Sequence, residues 1–393
     1  MWCSGEKRKR KRKRKGAIKN MKKVAVFGIG RMGTAISHAM SKLGYYVVGI
    51  DSNNDAANNF RYHIKKGEDG IFYNCEGRDY KELLTQFEAV DVVISSLPYH
   101  QNQALAEFCI DNGIRYCDLG GRVDVSNDIN EYAKNHATKP IMTDLGLAPG
   151  WVNIMAEHGY SQLHRDVDSV KMMVGGLPAC FDANPPFNYA CSWSTDGLVN
   201  EYKDDCKVLL NGEIHEERGM EGLEEVHFDL INEDMEAFFT SGGASHTIET
   251  MKSRGVKDCS YKTLRYKGHC EAIRFLIRHA KVDDKTLGDI FEKGCPPQPF
   301  GDVVFMKIIV KGGDIKYDKE ILIPHGNTTG FTAMQRATAF PISSVASLMA
   351  EGIFDGDKDQ HRDHDTQHPK NLSYSDVPYE DFSKNLEKLG ISV

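Results

Sequence analysis

The sequence predicts an α/β protein with a doubly wound parallel sheet at residues 21–145 and a second, α+β domain at residues 146–332. Two observations lead to this prediction. Residues 21–145 alternate short apolar runs with helical patterns, which is typical of parallel strands joined by crossover helices. Past Trp151, strand-like runs mix with Gly, Pro and Asn turns and with helices, which indicates a mainly antiparallel sheet.

The segment from residue 24 to residue 51 predicts how the first domain begins. An apolar run, Val24–Phe27, indicates a buried strand, and a helical pattern then continues to Leu43 and ends at Gly44. Between them stand three glycines in the spacing G-x-G-x-x-G, at Gly28, Gly30 and Gly33. A second apolar strand, Tyr46–Ile50, stops at Asp51, about twenty residues beyond the glycines.

Each part of this segment suits a dinucleotide site of the Rossmann type. The glycines permit a tight turn, a close approach of the backbone to a pyrophosphate, and close packing of helix on strand. The helix N-terminus offers N–H groups and a positive dipole end to the phosphates. The predicted cofactor-binding residues of this loop are Gly28, Ile29, Gly30, Arg31, Met32 and Gly33. Asp51 can accept hydrogen bonds from both ribose hydroxyls and repels a 2′-phosphate, so we expect NAD rather than NADP.

The later elements of the first domain direct attention to three strand ends. The pattern predicts helices at 55–66, 80–87, 101–111 and 127–136, and strands at 71–73, 89–94, 115–121 (with its turn) and 140–144. Ligands of doubly wound sheets bind beyond the carboxyl ends of the strands, so we expect site residues at 95–99, 118–121 and 144–150. The predicted cofactor contacts there are Ser95, Ser96, Leu97, Pro98, Asp118 and Leu119.

The composition excludes several classes of protein. Of the 393 residues 40% are hydrophobic and 27% charged; no apolar run approaches the length of a membrane span, and no signal peptide is evident. The ten cysteines form no C-x-x-C pair, so neither a zinc ribbon nor a redox dithiol is indicated, and we predict no metal site. We expect reduced cysteines in a cytoplasmic protein.

Residues 1–20 form a basic tail that we expect to be disordered. Lys7–Lys15 alternates Lys and Arg without a break, as in nuclear-localisation and nucleic-acid patches. The tail holds ten of the 49 basic and one of the 56 acidic residues, so the remainder, with 39 and 55, has a net charge of −16. Because an acidic body is a poor nucleic-acid platform, we interpret the tail as inert or as sequence upstream of the true start near Met21.

The C-terminal residues 333–393 are predicted to be helices that pack back on the first domain. An apolar helical run covers 332–350, and a last helix covers 379–389. The intervening residues 355–370 are polar and low in complexity. Three histidines there, His361, His364 and His368, resemble a metal tract, but we interpret them as residues of an exposed loop.

Six motifs stand out beyond the glycine loop. They are L-G-L-A-P-G at 145–150 followed by Asn153, G-G-L-P at 175–178, P-P-F-N-Y at 185–189, G-L-V-N-E-Y at 197–202, G-L-E-E-V at 222–226, and Y-K-T-L-R-Y-K-G-H at 261–269. Together they resemble the saccharopine dehydrogenase-like superfamily, and most closely its lysine 6-dehydrogenase branch, over about residues 22–393.

The resemblance implies NAD-dependent oxidative deamination of L-lysine at the ε-carbon. Hydride would pass to NAD, ammonia would be released, and the semialdehyde would cyclise to piperideine-6-carboxylate. The resemblance also implies a homodimer or larger assembly through the sheet of the second domain. One departure helps to choose the branch: saccharopine-type members usually carry Asp in G-L-D-P-G, where this chain has Ala148. That loss disfavours a larger substrate with two amino-acid ends.

The predicted chemistry requires a base, because the ammonium must lose a proton before hydride can leave its carbon. Asp118 and Asp144 each end a predicted parallel strand. Asp118 either holds the ammonium, takes its proton or binds the nicotinamide ribose, or it only accepts N–H bonds from its own turn. Asp144 is a second catalytic candidate or a cap of the following loop. Tyr99 positions the amine, shields the ring from water or is structural; His246 and His269 are alternative bases.

The substrate carboxylate requires a cation, ideally a guanidinium, and Arg265 and Arg122 are the candidates. The alternative for Arg265 is an exposed, solvated side chain on a strand. Tyr189 and Trp193, with Ser194, are predicted to wall the aliphatic part of the substrate, although a Trp in this setting also serves as a core anchor. Further predicted substrate contacts are Gly146, Gly150 and Asn153.

Two alternative functions stay open. One is a saccharopine or carboxynorspermidine dehydrogenase, which acts on a secondary amine with the same fold. The other is a non-catalytic NAD-binding sensor that finds a partner through its basic tail. The partner that we expect is a small amino-acid substrate, with neither nucleic acid nor membrane.

Overall fold

The computed structural model describes residues 21–64, 69–75, 90–163, 166–179, 185–191, 193–298, 301–355 and 370–393. The basic tail, the predicted helix at 80–87 and the three histidines at 361–368 lie outside these residues. The chain divides into two compact units. The described parts of Met1–Leu145 and Ala339–Val393 form the first unit, and those of Gly146–Thr338 form the second.

The first unit contains a parallel sheet of six strands within its described residues. The strands are β1 (Lys23–Phe27), β2 (Tyr46–Asp51), β3 (Gly70–Asn74), β4 (Val92–Ser95), β5 (Arg115–Asp118) and β6 (Ile141–Met142). Their order is β3-β2-β1-β4-β5-β6, and each neighbouring pair is parallel. The order reverses between β1 and β4, where doubly wound sheets bind their ligands. The predicted fold of this domain is therefore confirmed.

The second unit contains a mixed sheet. Its strands are β7 (Ser169–Pro178), β8 (Cys206–Leu210), β9 (Glu213–Glu217), β10 (Glu224–Phe228), β11 (Glu233–Phe239), β12 (Asp258–Arg265), β13 (Asp302–Gly312) and β14 (Ile315–Pro324). The main path is β10-β11-β12-β7-β13-β14, and β8 joins β12 to β9. The pair β7–β12 is parallel and the other pairs are antiparallel, as the sequence predicts.

Eleven α-helices lie in the described part of the chain. They are α1 (Arg31–Lys42), α2 (Ala56–His63), α3 (Asn102–Asp111), α4 (Val123–His136), α5 (Trp151–Gln162), α6 (Thr195–Lys203), α7 (Thr247–Ser253), α8 (His269–Arg274), α9 (Asp284–Gly294), α10 (Ala333–Glu351) and α11 (Tyr379–Lys388). None of these helices combines the length and apolar character that crossing a membrane would require.

Each unit has its own apolar core. In the first, Ala25, Phe27 and Val93 of the sheet pack with Leu105 and Cys109 of α3. The end of α10 is held to this unit by polar bonds: the Tyr45 hydroxyl donates to Glu351 Oε1 at 2.8 Å, and Lys22 Nζ lies 2.6 Å from Glu351 Oε2. Burying these strands and helix faces removes apolar surface from water, which stabilises the layered arrangement.

The core of the second unit lies on one face of its mixed sheet. Leu177, Leu264 and Phe305 from three strands pack there with Tyr202 of α6 and Phe291 of α9. The strands β8–β11 were not predicted individually. Two of them, Glu-Ile-His-Glu-Glu (β9) and Glu-Glu-Val-His-Phe (β10), are rich in charged residues because much of each strand is solvent-exposed.

Candidate functional site

The glycine loop joins β1 to α1, and its three glycines face different surroundings. Gly28 has a φ of 81°, and a Cβ on it would lie 2.8 Å from the Ser96 carbonyl oxygen. A Cβ on Gly33 would lie 1.7 Å from the Gly28 carbonyl oxygen, so this glycine lets helix and loop pack closely. A Cβ on Gly30 would meet no atom within 4 Å. The backbone at Gly30 is therefore the part of the loop left open to a ligand.

The predicted loop residues Arg31, Met32 and Gly33 form the first turn of α1. The first bond within the helix runs from the Thr34 N–H to the Gly30 carbonyl oxygen at 3.0 Å, and the first turn carries no acidic side chain. The positive end of the helix dipole is therefore not neutralised by a neighbouring carboxylate of its own turn.

Asp51, at the end of β2, is bonded to the glycine loop. Its Oδ2 atom accepts the N–H of Ile29 at 2.6 Å, and its Oδ1 atom accepts the N–H of Asn53 at 2.7 Å. These bonds fix the orientation of the carboxylate and leave lone pairs on both oxygens. Asn74 supports the same corner, since its Nδ2 atom donates to the Asn54 side-chain oxygen at 3.0 Å.

The loop after β4 lies against the glycine loop. The Ser96 hydroxyl donates to the Gly28 carbonyl oxygen at 2.8 Å, and the Leu97 side chain would be 3.2 Å from a Cβ on Gly28. The Ser95 side chain points the other way, into the core, where its hydroxyl donates to Asn102 Oδ1 at 2.7 Å. Pro98 follows at the start of the short turn that carries Tyr99.

Asp118 and Asp144 are brought together at the ends of β5 and β6. Asp118 is 1% exposed and Asp144 is 2% exposed. Asp118 Oδ1 accepts the N–H groups of Gly120 at 2.8 Å and of Asp144 at 3.2 Å, and Oδ2 accepts the Tyr116 hydroxyl at 3.0 Å. The alternative that Asp118 accepts N–H bonds from its own turn is thus confirmed for Gly120.

Asp144 is held in an unusual backbone conformation, with a φ of 60°. Its Oδ1 atom accepts the Ser126 hydroxyl at 2.6 Å, and its carbonyl oxygen accepts the Tyr374 hydroxyl at 3.0 Å. A Cβ on Gly120 would come within 2.2 Å of Asp144 Oδ1. Helix α4 and the Gly120 turn therefore fix this side chain, and the C-terminal segment holds its main chain.

The environment favours a proton on Asp118. Burial, and secondarily the charge of Asp144, raise the pKa of Asp118 to about 7, against three hydrogen bonds that favour the ionised form. No Lys, Arg or His side chain of the described residues bonds Asp118. An acid with these properties can take up and release a proton near neutral pH.

Tyr99 and Leu119 lie beside this pair. Tyr99 is 43% exposed, and a Cβ on Gly121 would approach its Cβ to 3.0 Å. Arg122, the alternative cation for a substrate carboxylate, lies 6.0 Å from the Tyr99 ring centre. Its guanidinium is bonded to Asp124 through Nε and Nη2, at 3.1 and 3.0 Å. Leu119 follows Asp118 directly and is half-buried.

The second unit holds the residues that we predicted for the substrate. Gly146 and Gly150 pair with each other in a bridge at the start of the unit. Asn153 is fully buried; its Oδ1 atom accepts the Gly150 N–H at 2.7 Å, and its Nδ2 atom donates to the Ala244 carbonyl oxygen at 3.0 Å and to Thr247 Oγ1 at 2.8 Å. This amide connects α5 to α7.

Arg265, Tyr189 and Trp193 are brought together in one buried cluster. Arg265 is 3% exposed, so the alternative of a solvated side chain is wrong. Its guanidinium lies 4.7 Å from the Tyr189 ring centre, and Nη2 lies 3.8 Å from Glu201 Oε2. The Trp193 indole N–H donates to the Tyr189 hydroxyl at 3.1 Å. Cation–π contact and the nearby carboxylate stabilise the charge of the buried guanidinium.

His269 lies in the same cluster and is uncharged. Arg265 Nε donates to the Tyr202 hydroxyl at 2.8 Å, so that hydroxyl donates in turn to His269 Nε2 at 2.9 Å. The other ring nitrogen then carries the proton and donates to the Phe187 carbonyl oxygen at 2.8 Å. Burial, and secondarily the charge of Arg265, lower the pKa of His269 to about 3. His269 therefore has no lone pair free to act as a base. His246, the other alternative base, directly precedes α7.

A cavity of about 560 Å³ opens in the second unit. Tyr266 and Lys267, which follow Arg265, form one side, and Ala179, after the G-G-L-P motif, borders it. Asp302 and His325 also line it. One of the motifs singled out in the sequence, Y-K-T-L-R-Y-K-G-H, thus contributes two residues to a cavity of the size that small ligands occupy.

The sequence did not single out Tyr116 or Ser126, which bond the two aspartates. A signal existed for Tyr116, since side chains two residues apart on a strand share a face, and Asp118 was already a candidate. Ser126 gives no such signal, because it meets Asp144 only through the folding of α4.

The parallel sheet, the glycine loop and the acidic end of β2 are those of an NAD(P)-binding domain. A family model described as "Saccharopine dehydrogenase NADP binding domain" matches residues 24–144, and one described as "Saccharopine dehydrogenase C-terminal domain" matches residues 146–391. The chain belongs to the saccharopine dehydrogenase family.

Curated relatives resemble the chain at low identity. It is 24% identical over 278 residues to the mitochondrial alpha-aminoadipic semialdehyde synthase of Rattus norvegicus, covering 69% of this chain and 29% of that protein. It is 25% identical over 218 residues to saccharopine dehydrogenase (NADP⁺, L-glutamate-forming) of Schizosaccharomyces pombe, covering 54% and 48%. The chain thus spans less than half the length of each relative.

A solved structure shares the fold. Apo saccharopine dehydrogenase (L-Glu forming) from Saccharomyces cerevisiae matches with a TM-score of 0.70 and 16% identity, over 94% of this chain and 98% of that one. This agreement covers the six-stranded parallel sheet and the mixed second sheet.

Proposed function

We propose that this protein is an NAD-dependent oxidoreductase that deaminates L-lysine at the ε-carbon. A hydride leaves the carbon for NAD, the resulting imine takes up water, ammonia departs, and the semialdehyde cyclises to piperideine-6-carboxylate. The observation that carries the proposal is the buried Asp118–Asp144 pair at two adjacent strand ends of the dinucleotide-binding domain. A purely structural carboxylate would gain nothing from a neighbouring carboxylate, whereas an amine dehydrogenase requires a base there.

In this proposal Asp118 accepts the proton of the substrate ammonium. Its pKa of about 7 matches this task, because the carboxyl can be ionised before the transfer and protonated after it at neutral pH. The main-chain N–H of Asp144 holds the Asp118 carboxyl in place, and the charge of Asp144 disfavours the ionised form of Asp118. Tyr99, partly exposed beside the same turn, orients the amine.

Bound NAD would supply the hydride acceptor. The backbone at Gly30 and the first turn of α1 would hold its phosphates, and Asp51 would bind its adenosine ribose hydroxyls. The loop Ser95–Pro98 would contact the cofactor beyond the end of β4. The matched family model and the relative from Schizosaccharomyces pombe are named for NADP. We nevertheless propose NAD, because the fixed carboxylate of Asp51 would repel a 2′-phosphate.

We propose that the second unit holds the amino-acid end of the substrate. Arg265 is the cation for the carboxylate, with Arg122 as the alternative, and Tyr189 and Trp193 wall the aliphatic chain. Gly146, Gly150 and Asn153 shape the adjoining loop. Arg265 already bonds Tyr202 and Leu264, so it would act through its remaining N–H groups. We further propose a cytoplasmic homodimer.

A secondary-amine substrate is the second candidate. The relatives and the solved structure named as saccharopine dehydrogenases favour it. Ala148 in place of the usual Asp disfavours it, since one carboxylate for a larger substrate is missing. A saccharopine or carboxynorspermidine dehydrogenase would share the same hydride chemistry and the same base.

The deciding experiment mixes purified protein with NAD or NADP and with L-lysine, L-saccharopine or ornithine, and follows the absorbance of the reduced cofactor and the release of ammonia. Lysine-dependent NADH formation with ammonia supports the proposal. Turnover of saccharopine alone transfers the protein to the secondary-amine branch. An absence of turnover with every substrate, despite NAD binding, contradicts both and favours the sensor.

The contribution of Asp118 is tested in the same assay. We expect Asp118→Asn to reduce kcat at least a hundredfold, because the amide cannot accept the proton. Asp128→Asn is the matched control, since Asp128 is an exposed carboxylate on α4 of the same unit. Equal activity of the two variants would contradict the assignment of Asp118 as the base.

A further inference from the structure

Tyr116 lies two residues before Asp118 on β5 and is completely buried. Its hydroxyl oxygen is 3.0 Å from Asp118 Oδ2 and 3.4 Å from the main-chain carbonyl oxygen of Asn102, on α3. The hydroxyl has one proton to donate, and both of these oxygens can accept it; the Ser95 side chain also hydrogen-bonds to this hydroxyl. Its proton can therefore point to either acceptor by rotation about the C–O bond alone.

The two oxygens of Asp118 differ in what they can hold. Oδ1 already accepts two main-chain N–H groups, from Gly120 and Asp144, whose protons are fixed. Oδ2 faces only the Tyr116 hydroxyl among its hydrogen-bond partners in the described chain. When Asp118 is protonated, we therefore expect the proton on Oδ2, because the neighbouring Tyr116 hydroxyl can accept a hydrogen bond as well as donate one.

We propose that Tyr116 is a positioning residue whose hydroxyl proton turns between Asp118 Oδ2 and the Asn102 carbonyl oxygen as Asp118 changes its protonation state. When Asp118 is ionised, Tyr116 donates to Oδ2. When Oδ2 is protonated, its O–H donates to the Tyr116 oxygen, and Tyr116 donates to Asn102. The proton received from the amine stays on Oδ2, and Tyr116 keeps its own.

This arrangement removes the main obstacle to a buried base. A buried polar group without a hydrogen-bond partner destabilises the folded protein, so a carboxyl that lost its partner on protonation would resist protonation. The rotation of one hydroxyl keeps every group paired in both states. The inference rests on the proposed function in its use of Asp118 as the base, but the hydroxyl rotation itself is a property of the free protein.

Other titratable groups surround Asp118 and do not replace Tyr116. Asp144 contributes a like charge from the end of β6. The thiols of Cys109 on α3 and Cys117 on β5 stay protonated, because burial raises the pKa of each. Arg122, just before α4, and Asp124 on α4 are exposed and pair with each other. Burial likewise raises the pKa of Tyr116 itself, so its hydroxyl keeps its proton.

The test is direct titration of the Asp118 carboxyl by ¹³C NMR in protein with labelled aspartate, with the signal assigned by its loss in Asp118→Asn. In Tyr116→Phe the ionised carboxyl loses a donor, so we expect its midpoint to rise by about one pH unit. The acidic limb of kcat/KM with the amine substrate should move by the same amount. Tyr132→Phe is the matched control, because Tyr132 also donates its hydroxyl to an aspartate, Asp111, but on the surface.

A second variant keeps the proposal testable if the Tyr116→Phe protein does not fold. Fluorotyrosine at position 116 keeps the shape and makes the hydroxyl a stronger donor, so the Asp118 midpoint should fall. An unchanged midpoint in both variants, or a shift of equal size in Tyr132→Phe, overturns the proposal. A shifted midpoint in a protein that oxidises no amine leaves the proposal standing and refutes the proposed function. Amine oxidation with unshifted midpoints supports the proposed function and refutes the proposed role of Tyr116.

Discussion

The main-chain N–H of Ile29 donates to Asp51 Oδ2 at 2.6 Å, which connects the glycine loop directly to the end of β2. The two parts of the dinucleotide motif are therefore not independent. Asp51, which would bind the ribose hydroxyls, also bonds the glycine loop that would bind the phosphates. A substitution at Asp51 should for that reason affect both the affinity for the cofactor and the choice between NAD and NADP.

We expect Asp51→Asn to raise the dissociation constant of NAD about tenfold or more and to reduce the discrimination against NADP. An amide can accept only one of the two N–H groups that the carboxylate holds, and it no longer repels a 2′-phosphate. Titration of NAD by calorimetry measures the change. Asp55→Asn is the control, because Asp55 is exposed and its side chain caps no helix N–H. Equal affinities of wild type and Asp51→Asn would contradict the cofactor assignment.

Asp118 should make stability depend on pH in a defined direction. Its pKa in the folded protein, about 7, is above that of an unfolded aspartate, so its stabilising contribution is complete below about pH 4 and is lost as the pH rises through 7. In Asp118→Asn this loss should disappear, a difference of at most about 4 kcal/mol. Urea unfolding of both proteins at pH 5 and pH 8 measures it. A difference between the two proteins that is the same at both pH values would contradict this prediction.

Gly120→Ala should destabilise the protein more than Gly255→Ala. Both glycines have positive φ, 74° and 82°, so both substitutions impose a similar backbone strain of about 1 kcal/mol. Only at Gly120 would the new Cβ meet a side-chain atom, Asp144 Oδ1 at 2.2 Å, whereas nothing lies within 4 Å at Gly255. We expect an additional loss of about 1–3 kcal/mol in urea unfolding. Equal losses would show that the Gly120 turn tolerates the close contact.

Arg265→Lys should cost about 3 kcal/mol of unfolding free energy. The ammonium cannot reproduce both the flat contact with Tyr189 and the bond from Nε to Tyr202. Arg274→Lys is the control, since Arg274 is partly exposed and its ion pair with Glu221 is a surface pair, for which we expect less than about 0.5 kcal/mol. Comparable losses in the two variants would mean that the aromatic cluster does not depend on the guanidinium.

The beginning of the fold was predictable because its causes are local. Short apolar runs, a G-x-G-x-x-G spacing and an acid after the second strand define β1, α1 and β2 within about thirty residues, and the structure confirms these elements. The charged strands β9 and β10 could not be recognised in this way, since their pairing partners, and not their own pattern, make them strands.

The sequence alone determined the fold class, the glycine loop, the acidic residue that follows it and the candidacy of both strand-end aspartates. Only the tertiary structure decided that Asp118 and Asp144 touch, that Ser126 and Tyr374 hold Asp144, and that Arg265 is buried between tyrosines. The physical reason is sequence separation. Periodicity and turn chemistry act over a few residues, whereas burial, hydrogen bonding and the protonation of a carboxyl depend on groups that folding brings from tens or hundreds of residues away.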